Sequence, residues 1–239
     1  MESCRLPLGS FFIPIIGGKQ DWGRIKELNE MAYFRCLGVL VLACLASPAL
    51  GELRPEPRDG DVPRARWEHR ADGPLWSRVA LAAVETHGAA LLDVVPEDIA
   101  DWCPAYAANG PEDRAAFWVA LLSTVSRYES TWRPAAVGGG GRWFGLMQIY
   151  PPTAEFRDCR VQTGEGLKSG PDNLNCAVRI MAITVPRDAA ISTKKDRWQG
   201  VAADWGPLRT DWMRRDMQRY TKRQPFCRLL SEVRPKERP

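Results

Sequence analysis

Glu129 closes the segment PEDRAAFWVALLSTVSRYES, where a helical pattern runs into TWRPAAVGGGG. A carboxyl set between Tyr128 and Trp132, beside an apolar helix stripe, loses solvation. Desolvation disfavours the charged form, so the pKa rises and the group keeps its proton near neutral pH. A protonated carboxyl in a cleft is a general acid, suited to donating a proton to a glycosidic oxygen. The plain alternative is a solvated acid at a helix end, and the immediate neighbours of Glu129 do not decide between the two. Soon after comes FGLMQI, a second apolar cluster with one amide, Gln148. Trp132 and Trp143 flank the stretch between them, and either could stack on a sugar face or belong to the core.

Other chemistries have little support. The chain holds two His, His69 and His87, and its Cys spacings do not resemble a zinc site, so no metal and no cofactor is expected. A net charge of +4 over 239 residues is a mild basic bias. Its densest patch, RRDMQRYTKR at 214–223, reads as a solvated helix face, so no nucleic-acid partner is expected. With 45% apolar and 26% charged residues the chain can bury an ordinary core.

The elements that must carry Glu129 and FGLMQI follow from apolar spacing. Helices are expected over 75–92, over 96–103 behind Pro96, and over 111–130 with Asn109 as cap. In the last, Phe117, Ala120, Leu121, Val125 and Tyr128 form one buried stripe, and Pro134 with the glycines 138–141 ends the run. Further helices are expected from Pro151, over 172–185 behind Asp172 or Asn173, over 196–205 and over 210–220. No stretch alternates at period two, so the fold class is predominantly α.

The N-terminal part reads differently. From Met31 a short basic start, the apolar run CLGVLVLACLA and the small residues SPALG make a secretory signal peptide over 31–51. The run is shorter than the about 20 apolar residues that a bilayer span needs, so no span is expected once the leader is removed. Residues 1–30 are then an extension from a mis-assigned start, 52–74 an irregular linker or arm, 75–230 the domain and 231–239 a tail. A lipid anchor at Cys44 is a minor alternative to release into the periplasm or the medium. Four Cys remain beyond the leader, an even number suited to an oxidising compartment. Of three pairings, Cys159–Cys176 would close a Gly-rich loop, leaving Cys103–Cys227 to tie the start of the domain to its end.

SRYES, a Gly-rich connection and GLMQI in a helical, exported domain resemble the soluble lytic transglycosylase (SLT) domain family. The resemblance spans roughly 102–228. It is similar to a subgroup with WCPAY (Trp102–Tyr106), NLNCAVRI (Asn173–Ile180), W-x-x-L-R (Trp205–Arg209) and PFCR (Pro225–Arg228). It implies a lysozyme-like single domain with two disulfides that acts on peptidoglycan glycan strands. Carried over, Glu129 is the one acid/base and Ser130 supports it. Gly145, Leu146, Met147 and Gln148 face the glycan. Beside the resemblance, Trp143 and Trp205 are candidate substrate contacts, a place in the core being the alternative for Trp205. The family's AYN-like motif, whose Tyr approaches the acid, is replaced here by AADWGPLR, where Asp204 or Trp205 takes its place.

The reaction implied is cleavage of the MurNAc–GlcNAc β-1,4 bond with a 1,6-anhydro-MurNAc end. Hydrolysis would need a second carboxylate about 5–10 Å across the bond. Glu155, Asp158 and Asp204 are the acids near enough in sequence. A hydrolytic muramidase and a catalytically silent peptidoglycan-binding or envelope-assembly protein are the alternatives.

Overall fold

The structure, a computed structural model, describes residues 62–229. The expected extension, leader and tail lie outside the described residues. Among the described residues no helix is long and apolar enough to cross a membrane.

One helix organises the rest. In α3 (Pro111–Ser130) Pro111 takes the first turn, where its missing N–H costs nothing, and Glu112 and Asp113 face the positive end of the helix dipole. From Ala115 to Ser126 every side chain is buried, so the one-sided stripe is in fact a helix wrapped on all sides. Its neighbours are α1 (Gly73–Glu85), the one-turn α2 (Ala90–Asp93) and α7 (Asp211–Lys222). α5 (Gly170–Asp188) packs against α1 and α2, and the short α4 (Pro151–Phe156) and α6 (Val201–Asp204) complete the helices. Between α3 and α4 a two-stranded antiparallel hairpin pairs β1 (Val137–Gly138) with β2 (Trp143–Phe144).

Several boundaries differ from the sequence expectation, each for a local reason. The 75–92 pattern is broken after Glu85. Gly88 lies against α5 so closely that an added Cβ would stand 2.6 Å from a Val178 methyl. Residues 96–103 hold a single 3₁₀ turn, Ile99–Asp101, because the Asp98 carboxylate is drawn across the fold. It accepts from the Ile191 and Ser192 amides, both at 2.8 Å, and from the Trp102 indole at 3.1 Å. Gly110, not Asn109, caps α3, and the Asn109 amide donates instead to the Phe226 carbonyl at 2.6 Å. α5 starts earlier than 172, with Ser169 as its cap, which frees Asn173 for another use. In 196–205 only α6 is helical, behind Gly200 at φ +64°. The hairpin had no period-two signature because its strands hold two residues each.

The stretch 62–72 is irregular, yet Ala65 and Trp67 from it enter the core. Trp67 is fully buried against the Trp76 ring and donates its indole N–H to Ser77 at 2.8 Å. The Arg66 amide donates to Ser123 Oγ of α3 at 2.9 Å.

Cys103–Cys227 and Cys159–Cys176 are both bonded, with Cα separations of 4.5 and 5.2 Å. The first closes 124 residues and the second 17. If loop entropy dominates, removing the long link by Cys103→Ser with Cys227→Ser lowers stability by about 4–5 kcal/mol, against about 3 kcal/mol for the short one. Urea melts of the two double variants should rank in that order.

Candidate active site

The last turn of α3 sets Glu129 in place. Thr131 follows in the left-handed region (φ +54°) and turns the chain back, its amide donating to the Arg127 carbonyl at 3.0 Å. Ser130 is buried; its hydroxyl donates to the Ser126 carbonyl at 3.1 Å and accepts from the Arg133 amide at 3.3 Å. It therefore braces the turn that carries the acid. Trp132 donates its indole N–H to the Ser123 carbonyl at 2.8 Å and packs edge-on against His69.

The Glu129 carboxyl opens into a groove of about 600 Å³ whose lining includes Tyr128, Trp143, Gln148, Asp204 and Arg209. Burial pushes its pKa up from 4.5 to about 7, against the opposing pull of the Arg209 guanidinium. The Arg209 side chain is itself fixed, donating to the Ala202 and Ala203 carbonyls, both at 2.7 Å. Glu129 therefore exists in both protonation states near neutral pH, as a group that gives and retakes a proton must.

Opposite the acid stands the GLMQ turn, held from every side. Gly145 has φ +82°, and a Cβ there would collide with the Asn173 amide and the Leu167 carbonyl, each at 2.2 Å. Asn173, fully buried, accepts from the Met147 amide at 2.8 Å and donates to the Phe144 and Leu167 carbonyls, both at 2.9 Å. The Trp205 indole donates to the Met147 carbonyl at 2.9 Å. Gln148 turns its amide N–H inward, to Ala136 at 3.2 Å and Gly145 at 2.9 Å. The Leu146 and Met147 side chains are fully buried. Their part in the groove is thus the backbone they fix, while Gln148 lines it with what its hairpin contacts leave free.

Two aromatic residues of the wall differ in character. Trp205 is 4% exposed and anchors the turn. Trp143 is 41% exposed, lies over Gly139, where an added Cβ would stand 2.1 Å from its ring, and carries the Arg142 guanidinium 5.1 Å from its centre. It is the open aromatic face of the hairpin wall.

Asp204 lies in the same groove, and Glu155 and Asp158 do not line it. Burial raises the Asp204 pKa against the pull of Arg157 and the Thr184 hydroxyl. Tyr128 points its hydroxyl away, donating to Asp216 at 2.6 Å. Asp216 is held by Arg66 at 2.5 Å and Arg127 at 3.4 Å. Burial works against its charge, yet the Tyr128 hydroxyl and the Arg66 and Arg219 guanidiniums keep its pKa lowered, while burial first and Asp216 second push Tyr128 up to about 12. Sequence reasoning missed Asn173, Arg209 and Asp216 as site residues. The shared segments NLNCAVRI and W-x-x-L-R were the available signals for Asn173 and Arg209, and Asp216 carried none.

Because the folded protein binds the Glu129 proton more tightly than the unfolded chain, burial of this acid lowers stability as pH rises from about 4.5 to 7, and the full penalty is present above that. Glu129→Gln should accordingly be more stable than the parent by up to about 3 kcal/mol at pH 8, the difference vanishing at pH 4, in urea melts across pH. Arg209→Met removes the opposing charge, and the Glu129 carboxyl should then titrate above about 7 by NMR.

Residues 107–203 match the family model described as Transglycosylase SLT domain. No curated protein matches the chain. Among solved structures the chain resembles DslA in a wild-type form (TM-score 0.63) and two glutamate-to-glutamine variants of it (0.63 and 0.64). Each is 28% identical, over 70% of this chain and 98–99% of the other. The helical frame, the two disulfides and the match over Glu129 and the GLMQ turn agree. Residues 107–203 are thus similar to a transglycosylase SLT domain, on a mostly helical, lysozyme-like fold.

Proposed function

We propose that this protein is a lytic transglycosylase that cleaves the β-1,4 bond between MurNAc and GlcNAc with Glu129 as its one acid/base. The observation that carries the reading is the position of Glu129, on a braced helix end, partly buried, with a pKa of about 7, in a groove with an open tryptophan wall. Protonated Glu129 gives its proton to the bridging oxygen as the bond to the MurNAc anomeric carbon breaks. An oxocarbenium-like state develops, and the GlcNAc hydroxyl leaves. The Glu129 carboxylate then takes the proton from the MurNAc C6 hydroxyl, whose oxygen bonds to the anomeric carbon. The products are a 1,6-anhydro-MurNAc end and a regenerated acid. Arg209 supports the carboxylate stage, since a carboxyl raised by burial alone would be slow to release its proton in the first half.

The two disulfides support action in an oxidising compartment, the periplasm or the medium, as the leader at 31–51 would provide. Asp204 favours a second reading, hydrolysis, because a second acid in the groove could activate a water. A catalytically silent peptidoglycan-binding protein is the remaining alternative.

Mass spectrometry of muropeptides released from purified sacculi separates these. Anhydro ends from the parent and none from Glu129→Gln are expected. Reducing ends that disappear in Asp204→Asn would replace the transglycosylase with a muramidase. No release by the parent, with sacculus binding kept, would leave a binding protein.

A further inference from the structure

Trp212 stands in the first turn of α7, is 57% exposed, and contributes little to the core that Met217 and Thr221 of the same helix enter. An indole this open presents much of its apolar face to solvent. Its position is not arbitrary. Its neighbours Thr210 and Met213 both line the cavity that contains Glu129. Its ring meets Tyr128, another lining residue, edge to face at 5.5 Å and 85°. Tyr128 is immobilised in turn through its hydroxyl on Asp216, which Arg66 and Arg127 hold. The pair is therefore a rigid aromatic corner continuous with the groove, and its outer face is the indole.

On the other wall, the hairpin offers Trp143, also open, beside Gln148. The same cavity thus receives Trp143 from β2 and Tyr128 from α3, next to Glu129 in sequence, with Trp212 packed against Tyr128 just outside the lining. Pyranose rings present C–H faces that pack on indole, and a polymer with many such rings is the ligand that uses two separated platforms.

We propose that Trp212, backed by Tyr128, is a saccharide subsite on the α7 side of Glu129, so that a glycan strand lies across the acid and is held on both sides. This rests on the glycan-cleaving function proposed above and adds to it where the strand runs. It makes strand interiors, rather than strand ends alone, productive substrates, and it makes chain length matter.

The test uses binding, so that it stands apart from turnover. Glu129→Gln and the double variant Glu129→Gln with Trp212→Ala are titrated with long peptide-free glycan strands by calorimetry. The double variant should bind about tenfold more weakly, the size expected when one stacking platform is lost. Trp212→Phe should restore most of the affinity. Unchanged melting curves would show that the loss is not one of folding, which the exposure of the side chain leads us to expect. Equal dissociation constants for the single and double variants would overturn the subsite while leaving the function of Glu129 intact. Weakening accompanied by a fall in melting temperature that Phe does not repair would make Trp212 a structural residue and overturn it too. If Glu129→Gln and the parent both fail to bind glycan, the function reading itself falls and the subsite with it.

Discussion

A single buried amide holds the groove together. Asn173 spends both donor hydrogens and its acceptor on backbone groups of two separate loops, Phe144–Met147 and Leu167, from within a helix. Inside the core each of those backbone groups would otherwise lack water and a partner, a cost of roughly 1–3 kcal/mol apiece. The amide fits only because Gly145 has no side chain, and the glycine can take its left-handed conformation for the same reason. Trp205 secures the opposite side of the turn. The groove wall is therefore shaped by residues that need not be exposed in the groove themselves.

The acid obeys a different balance. Helix α3 is buried almost throughout, so its final turn brings Glu129 out of the core without fully reaching water. Burial alone would favour a permanently protonated carboxyl. The Arg209 charge, held rigid by two carbonyls of the α6 region, opposes this and leaves the group poised. Because the guanidinium is fixed before any substrate arrives, its field needs no rearrangement when charge develops on the acid.

Much of this was legible in the chain, and the limits are instructive. The helix ending in Glu129 and the GLMQ cluster were readable because apolar spacing and motif both lie within short windows. The two pairings of Cys103, Cys159, Cys176 and Cys227 were among few choices and agree with the bonds found. What was hidden depends on contacts distant in sequence. Asn109 reads as a cap but serves Phe226, 117 positions away, and Asp98 reads as first-turn chemistry but binds amides beyond position 190. Leu146 and Met147 looked like groove residues, yet turn inward because the strained turn at Gly145 and Gln148 reverses the chain there. Trp67, in a Pro- and Arg-rich stretch, is core because its ring packs on Trp76 and its N–H finds Ser77, both contacts set by α1.

The family match ends at 203, while Asp204, Arg209, Thr210, Met213 and Asp216 all follow it. The groove is thus built from two consecutive stretches of chain, one up to 203 with the acid and its pinned turn, and one beyond it that completes the wall. The two are coupled, because Trp205 holds the Met147 carbonyl and the Arg209 charge opposes the rise in the Glu129 pKa. A substitution beyond 203 therefore reaches the acid and the GLMQ turn through these two side chains, and the wall of the groove cannot vary independently of the carboxyl it surrounds.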